Sequence, residues 1–182
     1  ALPALSALVW LVAAAPGWRT ALRLGWAAGT GHFLLALSWI VEPFLIDAAR
    51  HGWMAPFAVL FLSVGLGLFW AAPAALAHAT PRPALAFIAT FGVLEWHRGV
   101  ILTGFPWAML GHVWIGTPFD QLAALGGPSA LSLLLLLAAA LPVLWRWRGA
   151  AGSAVLLALA FAFGTWRLAL PLPAPGEATV RL

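Results

Sequence analysis

Six apolar runs dominate the chain, at residues 1–15, 20–41, 53–77, 84–102, 128–147 and 150–170, parted by breaks rich in Pro, Gly or Arg that are short except between the fourth and fifth. The first is short for the roughly 20 residues that a membrane span needs, and the others approach or exceed that length. Backbone in hydrocarbon must satisfy its own hydrogen bonds, so the runs are predicted to be helices rather than isolated strands. The break at 104–127 differs from the rest. It is apolar yet punctuated by Pro106, Gly111, Gly116 and Pro118, with Trp107 and Trp114 inside it, so it is predicted to lie in the membrane interface. The expected fold is all-α: a polytopic transmembrane helix bundle of about six spans over residues 1–170, with an irregular interfacial loop. From 171 to 182 the chain turns polar and extended, as a linker does.

Composition sharpens the membrane assignment. Of 182 residues 64% are hydrophobic and 8% charged, against roughly 45–50% apolar and roughly 25% charged in soluble domains. The mean hydropathy is +1.00. The net charge of +4 comes from nine basic residues, all arginine and scattered through short loops, which argues against nucleic acid as a partner. Cysteine is absent, and so are lysine and tyrosine. Disulfides, thiolate metal sites and a cysteine nucleophile are therefore excluded within the chain.

The arginines also set an orientation. Arg19 and Arg23 follow the first run, Arg82 the third, and Arg146 with Arg148 the fifth, so the positive-inside rule puts these alternate loops in the cytoplasm. Glu42, Asp47 and Asp120 lie in loops on the other side, with Glu177 in the tail. Both ends are then expected outside. A start without Met or a basic n-region fits a signal peptide poorly and suggests an upstream helix.

The tract 95–107, EWHRGVILTGFPW, places Glu95 and Arg98 near the end of an apolar run. Either charge alone would cost several kcal/mol there. Their i, i+3 spacing lets them share one helix face and partly neutralise each other. The bland reading is a structural pair that holds helices together; the functional one is a contact with a lipid headgroup or an incoming substrate. Trp107 and Trp114 have the bland reading of aromatic-belt anchors. His32, His51, His78, His97 and His112 show no HExxH or other ligand spacing, so no metal or cofactor is expected. Gly25 and Gly29 form a small-xxx-small step suited to close helix packing.

The same tract, followed by Leu110-Gly111-His112, Gln121-Leu122-Ala123 and Gly126-Gly127, resembles the membrane domain of apolipoprotein N-acyltransferase. Residues 25–40, GWAAGTGHFLLALSWI, resemble that family's third helix. The resemblance implies a multi-pass enzyme of the bacterial inner membrane that takes an acyl chain from a phospholipid and places it on the amino group of a lipoprotein's diacylglyceryl-cysteine. Position at the outer end of the fourth run, beside the break and the interfacial loop, makes Glu95, Arg98, Gly104, Phe105, Pro106 and Trp107 the candidate contacts with lipid or substrate. The resemblance also implies a Glu-Lys-Cys triad and a thioester on a nitrilase-like extracytoplasmic domain, toward which residues 171–182 would lead. With no Cys and no Lys, the chain alone is expected to be inactive.

Rival classes fare differently. A serine hydrolase built on Ser129 lacks a histidine beyond position 112 and a GxSxG elbow. A transporter would show broken helices in two repeated halves, and one broken region is present. A non-catalytic membrane scaffold or docking module is the alternative that stays open. The orientation itself is testable on the cysteine-free background: with Arg82→Cys, an impermeant maleimide is expected to label only opened cells, and strong labelling of intact cells reverses the topology.

Overall fold

The computed structural model describes residues 1–101 and 104–171, so the expected linker at 171–182 lies outside the described residues except for Pro171. Seven α-helices follow one another: α1 (Leu2–Ala14), α2 (Trp18–Ala36), the one-turn α3 (Glu42–Leu45) and α4 (Ala48–His51), α5 (Ala55–Ala77), α6 (Pro83–Arg98) and α7 (Ala123–Leu168). No strand occurs among the described residues, and the chain is an all-α membrane bundle. Proline opens α1, α5 and α6 within the first turn, where a missing N–H costs nothing.

The helices track the apolar runs with three adjustments. First, α2 stops at Ala36, not near 41. Leu37 leaves the helical path (φ −106, ψ 12), Ser38 Oγ donates back to the Leu35 carbonyl at 3.0 Å, and residues 38–41 tighten into a 3₁₀ turn. The following segment is bent by 57° from α2. Second, α6 ends at Arg98 with Gly99 as its cap, short of the expected 102. Third, α7 is two helices back to back. Trp145 (φ −129) and Arg146 (φ 52) reverse the chain, Gly149 returns against Leu141, and Ser153 Oγ donates to the Ala138 carbonyl at 2.6 Å. Arg146 accepts a left-handed backbone that costs a non-glycine residue about 1–2 kcal/mol. The first arm of this hairpin (128–144) begins at Pro128 after Gly127 (φ 63), and the second arm (147–168) runs back until Gly164 meets Pro118.

By length and composition, residues 48–77 and 118–168 can cross a membrane, and α2 with its bent continuation makes a third candidate. The hairpin gives the second of these two arms. At 13 and 16 residues, α1 and α6 are shorter.

Packing is densest between α2 and α5. Gly25 and Gly29 on α2 lie against Trp70 and Ala74, while Gly67 on α5 lies against Thr30 and Trp26. Small residues let the two backbones approach where lipid offers no hydrophobic drive to bring them together. Trp26 Nε1 donates to the Val64 carbonyl at 2.9 Å across the same seam. Phe33, Trp70, Phe87 and Phe91 fill the centre in edge-to-face pairs, Trp70–Phe91 at 5.0 Å and Phe87–Phe91 at 5.4 Å between centroids. Against this core α1 is tied to α7 by Ser6 Oγ, which donates to the Ala139 carbonyl at 2.7 Å.

The basic turns gather at one end. His78 Nε2 meets the Val12 carbonyl at 2.8 Å, and Ala13, Arg82, Leu144 and Trp145 share a cavity there. The end of α2, the end of α6 and the 104–122 segment share the opposite end.

A Cβ at Gly29 would stand 2.8 Å from Trp70 Cβ, whereas at Gly31 it meets nothing within 4 Å. Gly29→Leu is therefore expected to cost about 1–3 kcal/mol in unfolding free energy. Gly31→Ala is expected to be neutral or to stabilise by up to about 1 kcal/mol. Denaturant titration in mixed micelles reads both.

Candidate functional site

The segment that follows α6 leaves the helix while still packed among apolar groups, so each of its backbone polar groups needs a partner. Gly104 makes the turn. Its backbone is left-handed (φ 82), and a Cβ there would strike the Gly99 carbonyl, so glycine is required twice over. The Phe105 amide then returns to the Arg98 carbonyl at 2.9 Å. Leu102 and Thr103 of the motif lie outside the described residues.

Four side chains meet five backbone groups between 105 and 111. Arg98 Nη1 donates to the carbonyls of Phe105 at 2.6 Å and Trp107 at 2.8 Å. His32 Nε2 lies 2.9 Å from the Ala108 carbonyl, a bond it makes as the Nε2–H tautomer. Glu95 Oε1 accepts from the Leu110 amide at 2.6 Å, and Ser132 Oγ accepts from the Gly111 amide at 2.9 Å. Gly111 has no room for a side chain, because a Cβ would stand 2.6 Å from Leu131 Cβ. The segment is thereby pressed onto the first arm of α7, and Trp114 Nε1 adds a bond to the Leu131 carbonyl at 3.2 Å.

Glu95 and Arg98 are 4% and 2% exposed, so both charges are inside the protein. They share a helix face as their spacing requires, but they turn to the loop backbone rather than to each other. One carboxylate oxygen takes the Leu110 amide, and the other, Oε2, has no partner. The guanidinium also sits 5.1 Å from the centroid of the Phe33 ring, a cation–π contact that partly replaces its lost water. Aromatic stacking fixes His32 in turn, 4.9 Å from Trp70.

Of the six residues singled out in the motif, Glu95 and Arg98 are buried, Gly104 and Phe105 half-buried, and Pro106 and Trp107 exposed. Trp107 is 51% exposed and joins His32, Trp39, Met109 and His112 around a 410 Å³ cavity at this end of the bundle. His112 lies in the loop. Burial lowers its pKa from the ordinary imidazole value, and the nearby charge of Arg98 adds to the effect, both favouring the neutral ring. His32 and Ser132 are the residues that motif reasoning missed. A polar ring and a hydroxyl inside apolar helices were the available signal.

Residues 1–141, from α1 into the first arm of α7, match the family described as the apolipoprotein N-acyltransferase N-terminal domain. The chain belongs to that family. It is 46% identical over 133 residues to the apolipoprotein N-acyltransferase of Caulobacter vibrioides, covering 70% of this chain and 24% of that protein. The corresponding protein of Rhizobium meliloti is 36% identical over 151 residues, covering 75% and 28%, and that of Rhizobium etli 35% over 131 residues, covering 64% and 24%. The chain thus spans about a quarter of the length of the curated relatives it matches. All of the residues that hold the 105–111 backbone fall within the matched region, so the clamp lies in the part of the chain that defines the family membership.

The clamp makes a site-specific expectation for amide exchange. Glu95→Ala removes the acceptor of the Leu110 amide and should speed its exchange about tenfold or more, the scale of a hydrogen bond to a charged group. Glu95→Gln keeps an oxygen at that place and should leave exchange within about threefold of the parent. Equal rates in all three proteins would show that the bond does not hold the loop.

Proposed function

We propose that this chain is the membrane portion of an apolipoprotein N-acyltransferase of the bacterial inner membrane, a multi-pass domain over residues 1–170. The transferred acyl chain comes from a membrane phospholipid, and the acceptor is the amino group of a lipoprotein's N-terminal diacylglyceryl-cysteine. The thioester chemistry belongs to a nitrilase-like domain, with residues 171–182 as the linker toward it. The family membership supports this reading. The absence of Cys and Lys from the chain assigns the nucleophile and the lysine elsewhere, because an acyl-thioester needs a thiolate.

Within the domain, the observation that carries a role for the motif is the exposed ring of Trp107, held at the rim of an open cavity by a backbone that Arg98 grips from below. Trp107 and Pro106 present the surface that meets lipid or substrate. Glu95, Arg98, Gly104 and Phe105 set its position. An indole at the level of the lipid headgroups offers an apolar body and one N–H donor, the character that suits an amphiphile's head.

Two measurements follow. The purified 182-residue chain should transfer no acyl group from phosphatidylethanolamine to a diacylglyceryl peptide, and any turnover above the protein-free blank removes the assignment of the chemistry elsewhere. In the protein joined to its nitrilase-like domain, Trp107→Ala should lower turnover by about tenfold, the loss of roughly 1.4 kcal/mol of binding contact. Abundance in the membrane should stay near normal, since an exposed side chain carries little of the fold. Loss of abundance in step with activity would make Trp107 a packing residue.

A further inference from the structure

The basic end of the bundle, away from the 104–122 segment, carries charge that no acidic side chain beside it balances. Arg19, Arg23, Arg82, Arg146 and Arg148 lie in or beside the turns there, whereas Glu42, Asp47, Glu95 and Asp120, the acidic residues among those described, all belong to segments at the opposite end. Indoles mark the level of this end: Trp18, Trp145 and Trp147 are all exposed, the placement of aromatic side chains among lipid headgroups.

Arg82 stands apart from its neighbours. Arg19 and Arg148 each hold the guanidinium over the adjacent indole, 5.2 Å from the Trp18 centroid and 5.4 Å from that of Trp147. The Arg82 side chain has neither a ring beneath it nor a hydrogen-bond partner among the described residues; its backbone amide donates to Thr80 Oγ1 at 3.4 Å. What the side chain borders is a cavity of 490 Å³ between the end of α1, the start of α6 and the α7 hairpin, whose other walls are Ala13, Pro83, Ala84, Leu85, Leu144 and Trp145. A lone guanidinium at an otherwise apolar hollow asks for a ligand with two characters. Its fork can hold two oxygens of one phosphate, and the walls can cover the glycerol and the first methylenes beyond it. A soluble anion leaves those walls unused. A zwitterionic head brings a second, positive group into the field of five arginines. An acidic phospholipid meets both conditions.

We infer that this cavity seats the head of one acidic phospholipid from the leaflet at the basic end, its phosphate held by Arg82. The positive-inside rule makes that leaflet the cytoplasmic one, and basic pockets between helices on that side suit anionic heads. The lipid is distinct from an acyl donor at the 104–122 segment, which lies at the other end of the bundle. Its contacts join α1, α6 and α7, two of which are short helices.

The test counts lipids bound to the protein in detergent micelles by native mass spectrometry, using phosphatidylglycerol, phosphatidylethanolamine and phosphatidylcholine of matched chains. Phosphatidylglycerol should bind about tenfold more tightly than either zwitterion, the scale of a few arginines acting on one anionic head. Arg82→Gln should weaken phosphatidylglycerol about fivefold and leave the zwitterions within about twofold of the parent. Arg19→Gln takes the same charge from the same end but not from the cavity, so its phosphatidylglycerol affinity should stay within about twofold of the parent. Both positions are exposed, and without lipid both variants should unfold at the parental temperature. Equal losses in the two variants reduce the effect to diffuse surface charge and overturn the inference, as does equal binding of the three lipids. A lower unfolding temperature for lipid-free Arg82→Gln makes Arg82 a residue of the fold and overturns it too. Inorganic phosphate at the lipid's own concentration should leave the bound phosphatidylglycerol in place; displacement would make the ligand a soluble anion. The readout needs no acyl transfer, so it stands or falls independently of the proposed function.

Discussion

A chain that leaves its helix among apolar groups must still find a partner for every amide and carbonyl, and the structure around α6 is organised by that demand. Residues 105–111 run without regular secondary structure until the turn at Leu110–Trp114, at the end of a bundle whose helices otherwise satisfy themselves. Five of their polar groups are met by side chains: one guanidinium, one carboxylate, one imidazole and one hydroxyl. Two of these are charges that would be costly inside an apolar protein if left bare. Each is compensated by backbone groups of opposite polarity, so burying the loop and burying the charges solve each other's problem.

The rest of the bundle determines whether those side chains arrive. His32 reaches Ala108 because it is stacked on Trp70, and Trp70 is where it is because Gly25 and Gly29 let α5 approach α2. The residue after His32, Phe33, lies beneath the Arg98 guanidinium. On the opposite side, Gly111 lets the loop touch the first arm of α7 closely enough for Ser132 to take its amide.

Much of the architecture is readable from hydropathy because the membrane imposes a coarse rule: long apolar runs become helices, and Pro, Gly and Arg mark their ends. The hairpin within α7 shows this well, since Trp145 to Arg148 interrupts two apolar runs where the chain reverses. Helix ends were less legible. Ser38 and Gly99 each stop a helix several residues before hydrophobicity fades, through local hydrogen bonding to which a hydropathy scan is blind. At the site, Glu95, Arg98 and the glycine turn stand out in sequence because charge and Gly-Phe-Pro are conspicuous in an apolar tract. Their partners do not. The i, i+3 spacing suggests mutual pairing, but Arg98 is the last residue of α6, and its side chain extends past the helix end to carbonyls seven and nine residues on. His32 lies 76 residues from the carbonyl it meets, a distance no local pattern encodes.

The central claim is that Glu95 and Arg98 stabilise this protein through the loop backbone and not through each other. A double-mutant cycle on unfolding free energy, with Glu95→Ala, Arg98→Ala and the pair combined, tests it most directly. If each charge holds its own backbone groups, the double variant is less stable than either single variant, each step costing about 1.5–3 kcal/mol. If the two charges chiefly neutralise one another, removing both leaves neither unpaired, and the double variant recovers stability relative to the singles. That recovery would contradict the account.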